Sequence, residues 1–252
     1  MHVLLVKLSS MGDLIHALPA ISDAVKVNPE LTFDWVIDEA FFEVASWHPA
    51  VHRIIKSAHR RWRKSIVKTL RNKELSKFLN ELRTTHYDIV IDGQNNMKSG
   101  LVTRFAKGSR WGLDRKSARE PLASLAYQHT VHVPRKEHAI TRMRQLFSLV
   151  LDYPLPKTPP DFGIDQTLLR EPLILNIPED YLFFVHSTSW TSKLWPESYW
   201  RELIEIAHEH NIHVLIPSGN QVEYERSKRL CEGVDTASAL PKMTLSEVAY
   251  LL

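Results

Sequence analysis

Apolar positions along the chain follow two rhythms that take turns. Short runs such as HVLLV at 2–6, TFDWVI at 32–37, VHRII at 51–55, DIVIDG at 88–93 and HTVHV at 129–133 have the length and composition of strands. Between them, apolar residues recur at three- and four-residue spacing, the repeat of a helix with one buried face. This pattern predicts helices from about Asp13, over AFFEVASW at 40–47, as one long basic helix after Ile55, over MKSGLVTRFA at 97–106, and from about Glu137 to Leu151. Strands separated by helices of this length imply βαβ units, so residues 1–151 read as a doubly wound α/β domain with a parallel sheet.

DYPLPKTPPDFG, from Asp152 to Gly163, interrupts the alternation with four prolines and a glycine, and residues 152–164 read as a linker. Over 165–252 the alternation resumes with YLFFVHS at 181–187, a helix from Pro196 to about His210, HVLIPSG at 213–219, a helix from about Gln221 to Cys231, and the apolar helical run LSEVAYLL. Only two convincing strands follow the linker, and that last run has neither a glycine cap nor a polar tail. The second sheet domain is therefore expected to be partial, and the chain a fragment of a longer polypeptide.

An apolar share of 44% over 252 residues can fill a real core. Cys231 is the only cysteine, which rules out an internal disulfide, and the opening apolar run is interrupted by Lys7 and Asp13 before it reaches signal-peptide length. No stretch approaches the roughly 18 apolar residues of a membrane span. The expectation is a cytosolic protein whose contact with a membrane is peripheral. The net charge of +3 hides an uneven distribution: from Arg53 to Arg83 there are 11 Lys/Arg and 2 Glu, a local +9 that leaves −6 over the rest. Such a patch can hold a polyanion.

The turn after the first strand reads SSMGD. Gly12 would admit a close ligand, and Asp13 either accepts a proton from a hydroxyl or serves, with Ser10, as a helix cap. G-x-G-x-x-G and G-x-x-x-x-G-K-[ST] are both missing, so conventional dinucleotide or NTP binding is not indicated. HSTSWTSKLWP at 186–196 supplies hydroxyls and Lys193, which suit a diphosphate or simply a polar loop capping the next helix. After HVLIPSG, Gly219 and Glu223 could meet a sugar or ribose, or Glu223 is a solvated first-turn glutamate. In AHRRWRKSIVK, residues Arg60, Arg61, Arg63 and Lys64 either grip phosphate and carboxylate groups or form a solvated basic face. Lys98, Arg119, His138 and Arg142 are further candidates in the same domain. Scattered histidines, no H-E-x-x-H, no D-x-D and no G-x-S-x-G leave metal and serine-nucleophile chemistry without support.

Seven stretches together resemble the ADP-heptose lipopolysaccharide heptosyltransferases: VKLSSMGDLIHALPA from Val6, FDWVIDEAF from Phe33, RRWRK from Arg60, YDIVIDGQNNMKSGLVTR from Tyr87, AREPLASLAY from Ala118, KLWPESYWRELI from Lys193 and LPKMTLSEVA from Leu240. The resemblance implies a GT-B architecture of two Rossmann-like domains, the first binding acceptor and the second mainly the nucleotide sugar. It implies transfer of L-glycero-D-manno-heptose from ADP-heptose to a Kdo sugar of Kdo-lipid A at the cytoplasmic face of the inner membrane. By position, Asp13 matches the family's base for an inverting in-line transfer, with Met11 and Gly12 on the donor side, shaping the turn around the reacting sugars. Thr188, Ser189 and Lys193 match donor-phosphate positions, and Glu223 and Met243 match positions near the heptose or adenosine. Arg60, Arg61, Arg63, Lys64, Lys98, Arg119, His138 and Arg142 match the acceptor side. No cofactor is expected, magnesium is expected to be dispensable, and the partners are the two substrates and an anionic membrane surface, with no nucleic acid and a monomeric state. Two departures stand out: the family's Asp-x-Gly-x-x-His segment is absent, and Asn95 stands where relatives often have glycine. Rival readings are a related heptosyltransferase with a later acceptor, and a non-enzymatic polyanion binder. The basic run contains only Trp62 as an aromatic, which disfavours single-stranded nucleic acid.

Overall fold

The structure is a computed structural model, describing residues 1–64, 69, 71–173, 177–188 and 190–252. The chain divides into two compact units, Met1–Leu168 and Leu169–Leu252. In the first, strands β1 (His2–Val6), β2 (Thr32–Asp38), β3 (Val51–Ser57), β4 (His86–Asp92), β5 (Lys107–Leu113) and β6 (His129–Val131) form one parallel sheet in the order β3-β2-β1-β4-β5-β6. Helices α1 (Met11–Ile15), α2 (Leu18–Val27), α3 (Phe42–Ser46), α4 (His59–Lys64), α5 (Glu74–Arg83) and α6 (Met97–Phe105) connect the strands, and α7 (Ala139–Val150) follows β6. Strand β1 is apolar at every position but its first because helices cover the sheet; Leu4, Val6, Val36, Ile55 and Val90 share a core cluster with Phe78 and Leu82 of α5.

Three features depart from the sequence pattern. The basic segment after β3 is not one long helix: α4 and α5 are separate, and Lys73, just before α5, has a left-handed backbone with φ 54°. Strand β5, KGSRWGL, lies between β4 and β6 although its composition is polar and glycine-rich. Its Gly112 is demanded by packing, since a Cβ there would stand 2.3 Å from the Tyr127 ring. Finally, the proline-rich stretch is a strap fastened to the first unit, not a free linker. Arg144 on α7 pairs with Asp23 on α2 at 2.6 Å, both buried, and donates to the Thr158 and Pro156 carbonyls. Lys26 holds Asp161 at 2.6 Å, and Gly163 (φ 57°) lies so close that a Cβ would meet Ser22 Oγ at 2.5 Å and His48 Nε2 at 2.6 Å. The boundary between the units consequently falls after Leu168.

The second unit has a parallel three-stranded sheet, β7 (Tyr181–Phe183), β8 (His213–Ser218) and β9 (Ala237–Lys242), in the order β7-β8-β9. Two strands were expected here, and β9 is the addition; ASALPK lacks β-branched residues and contains a proline, so it carries no strand signal. Helices α8 (Glu197–Glu209) and α9 (Gln221–Cys231) enclose Phe184, Ile204, Val214, Ile216 and Leu230, while α10 (Leu245–Tyr250) follows β9.

Candidate active site

The strand order of the first unit reverses between β1 and β4, the place in an open parallel sheet where two neighbouring loops part and leave a crevice beyond the carboxyl ends. One loop is Lys7–Ser10, leading to α1; the other is Gly93–Asn96, leading to α6. Gln94 ties them together: its Oε1 accepts from the Leu8 and Ser9 N–H groups at 2.9 and 3.1 Å. Buried Asp92 shapes the second loop, with Oδ1 accepting from the Gln94 and Asn95 N–H groups at 2.8 Å each and Oδ2 from the Tyr127 hydroxyl at 2.7 Å. Burial pushes the Asp92 carboxyl above the ordinary range despite these bonds. Asn95 occupies the left-handed region (φ 54°), which asparagine tolerates better than most residues, and its Oδ1 accepts from Leu113 N–H at 2.7 Å. Asn95 thus fits the left-handed turn and ties the loop to β5.

Asp13 is half-buried on α1. Its Oδ2 accepts from both the N–H (3.1 Å) and the hydroxyl (2.8 Å) of Ser10, so the helix-capping role is real. Its Oδ1 has no hydrogen-bond partner among the described residues. Burial works to raise the Asp13 carboxyl, but the two Ser10 bonds and the charges of Lys7 and Arg119 outweigh it and hold the group below the ordinary carboxylate range. Asp13 is therefore ionised at neutral pH.

Asp13 lines a pocket of about 380 Å³ together with Lys7, Arg119, Arg135 and Arg142. Four cations against one carboxylate define an anion site. Lys7 projects from the end of β1 and is almost fully buried, donating to Gly93 O at 2.9 Å; burial pushes its ammonium down to about 8. Arg142 donates to Ser117 O at 2.7 Å, and Arg135 to Ala118 O, so two guanidiniums fasten the loop that presents Arg119. The Arg142 Nε is buried and unpartnered among the described residues. On the other side of Gln94 a larger hollow of about 660 Å³ is lined by Arg60, Arg63, Lys64 and Lys98, with Asp38 and Trp62.

Of the acceptor candidates, the structure thus places Arg119 and Arg142 beside Asp13, and Arg60, Arg63, Lys64 and Lys98 in the adjoining hollow. It turns Arg61 elsewhere: both its edges are taken, by Glu39 at 2.9 and 3.0 Å and by Glu74 at 2.6 Å. His138 caps α7, and its ring meets that of His16 at a tilt of 55°, with ring centres 5.7 Å apart. Met11 is exposed, and a Cβ on Gly12 would meet nothing within 4 Å, so the fold itself does not require glycine there. Lys7 and Arg135 are additions to the sequence reading. The position of Lys7 at the carboxyl end of a central strand was the available signal.

In the second unit, Thr188 and Lys193 follow β7, Glu223 follows β8 and Met243 follows β9, all at the carboxyl edge of that sheet. Ser189 lies outside the described residues. Lys193 is exposed in a short 3-10 turn. Glu223 is not simply solvated: its carboxylate takes the Gly219 N–H at 2.7 Å, and its own N–H bonds Asn220 Oδ1 at 3.0 Å. Met243 packs on the cluster of Leu215, Leu240 and Leu251. Arg226, absent from the sequence reading, donates to His186 O at 3.1 Å and Trp195 O at 2.6 Å and so clasps the loop that carries Thr188 and Lys193.

Two Rossmann-like units in one chain are what the GT-B class of glycosyltransferases is built from. Residues 75–252 match Glycosyltransferase family 9 (heptosyltransferase). The whole chain aligns at 47% identity with Lipopolysaccharide heptosyltransferase 1 of Pseudomonas aeruginosa, covering 70% of that protein, and at 44% with its namesake in Escherichia coli K12, covering 79%. A solved structure of E. coli heptosyltransferase WaaC with ADP-2-deoxy-2-fluoro heptose superposes over the whole chain and 79% of its own length, with a TM-score of 0.92 at 42% identity. The E. coli heptosyltransferase II structure, at 16% identity and a TM-score of 0.72, shares the fold. The chain belongs to the family 9 heptosyltransferases.

Proposed function

We propose that this protein transfers L-glycero-D-manno-heptose from ADP-heptose to a Kdo residue of Kdo-lipid A, a step in building the lipopolysaccharide inner core, at the cytoplasmic face of the inner membrane. The observation that carries the assignment to this site is the ionised carboxylate of Asp13, engaged through one oxygen only, on the wall of a pocket lined by four cations. An acceptor bearing carboxylates and phosphates suits that lining. In this reading the acceptor hydroxyl is held at Asp13 Oδ1. Its oxygen attacks the anomeric carbon as the bond from that carbon to the β-phosphate oxygen breaks, configuration inverts, the proton passes to Asp13, and ADP departs. A sugar hydroxyl is far too weak an acid to ionise beforehand, so the carboxylate takes the proton only as the new bond forms. Lys193, with the hydroxyls near it, is the proposed counter-charge to the leaving diphosphate, in place of a metal ion. Support for the donor comes from the sugar nucleotide bound by the similar WaaC structure.

The test is incubation of purified protein with ADP-heptose and Kdo-lipid A, followed by mass spectrometry of the lipid. Gain of one heptose, dependent on both substrates, is expected. Transfer confined to acceptors already carrying heptose would instead mark a later step of the core, and binding of acceptor without any transfer would leave a polyanion binder.

A further inference from the structure

Helix α6 has its polarity inside out. Its buried face consists of Ser99 and Thr103, both fully buried, with Gly100 and Val102, whereas Met97 (50% exposed), Leu101 (59%) and Phe105 (41%) face solvent. A helix covering a sheet normally buries its large apolar side chains and shows polar ones to water. At 100° per residue the outward positions span an arc of about 120°, ordered Arg104, Met97, Leu101, Phe105, Lys98, so the apolar stripe runs between two cations for about 12 Å. The 3-10 helix Pro121–Ala126 lies against the Gly100 side of α6, where a Cβ would come within 3.3 Å of Ala126 Cβ, and it adds two more outward leucines, Leu122 (54%) and Leu125 (74%). Its neighbour Glu120 is engaged with Met97 N–H at 2.7 Å. Five large apolar side chains this exposed amount to a patch on the order of the few hundred Å² that mark interaction sites.

The charge around the patch selects the partner. Lys98 belongs both to the arc and to the hollow lined by Arg60, Arg63 and Lys64, so the apolar stripe continues directly into a basic one. Among the described residues no helix is long and apolar enough to cross a membrane. An apolar ridge rimmed by Lys and Arg matches an anionic bilayer, into whose interface Leu, Met and Phe insert while the cations meet headgroups. We propose that the outer face of α6 and the 3-10 helix beside it form the surface by which this protein docks on an anionic lipid bilayer. The proposal gives a place to the membrane contact of the functional reading, on which it rests for its biological setting, and it orients the basic hollow toward a lipid-borne acceptor.

Flotation with vesicles of phosphatidylcholine alone, and of phosphatidylcholine mixed with phosphatidylglycerol, tests it without any need for turnover. The parent protein is expected to float with the mixed vesicles. A Leu101→Asp/Leu125→Asp double variant should lose roughly tenfold in partitioning, while Leu149→Asp, which alters an exposed leucine on α7, should bind like the parent. Thermal unfolding of each variant establishes that it is folded, and transfer to an acceptor stripped of acyl chains should be unchanged in the double variant. Equal flotation of parent and double variant overturns the proposal. So does a parent dimer, formed without vesicles, that the double variant dissolves, for the face would then join two copies. Vesicle binding lost in the double variant, with no transfer by the parent to any acceptor, supports the docking face while refuting the catalytic reading.

Discussion

The two oxygens of Asp13 are in different circumstances, and the site depends on the difference. Oδ2 is fixed by Ser10, which aims the carboxylate, while Oδ1 is left to meet a substrate. Gly12 beside it faces open space, so Gly12→Ala should unfold in urea within about 1 kcal/mol of the parent, because neither strain nor clash opposes the methyl group. The same variant should lose transfer activity if the space belongs to the substrate, and normal kinetics would show that it does not. Lys7 makes a prediction about pH. Its ammonium, ordinarily at 10.5, is held at about 8 by burial, so it discharges as pH rises through that value and its attraction for an anion is lost. Acceptor affinity should weaken through this range, and Lys7→Met should bind weakly at all pH values without that inflection. The stability consequence has the opposite sign. Between pH 8 and 10.5 the unfolded chain retains the proton more than the folded one, so Lys7's contribution to stability rises with pH there, and Lys7→Met lacks the rise.

At the level of elements, the strap after α7 is held by a charge pair taken out of water. Arg144→Ala leaves the Asp23 carboxylate buried without its partner, which should cost about 3–5 kcal/mol in urea unfolding. A loss under about 1 kcal/mol would mean that the strap lies loose. The sequence of this element reads as a linker because its prolines and glycine signal irregular backbone, and nothing local reveals that Arg144, Lys26 and Trp47 hold it down. The strands with apolar or β-branched runs were legible as such, and so was the turn of Ser10 and Asp13. Strands β5 and β9 were not, because Gly112 owes its place to Tyr127 and because ASALPK is recruited by pairing with β8. Residue type alone could nominate cations for the acceptor side, but not separate Arg119 and Arg142 in the small pocket from Arg60 and Lys98 in the hollow, or from Arg61, held by two glutamates. Those distinctions arise from tertiary contacts.

For the whole molecule, the proposed transfer is written without a metal ion. Transfer should therefore persist in EDTA, and a complete loss that magnesium restores would require a metal at the diphosphate. Heptose transfer by this family 9 chain is proposed to use Asp13 as the base. Its most direct test is ADP release from ADP-heptose in the presence of Kdo-lipid A, comparing the parent with Asp13→Asn, whose amide oxygen can still accept the Ser10 bonds. Turnover is expected to fall about 10²- to 10⁴-fold in the variant, while titration calorimetry shows both substrates still bound. Turnover by the variant within about tenfold of the parent would contradict it, and the base would have to be another group in the pocket.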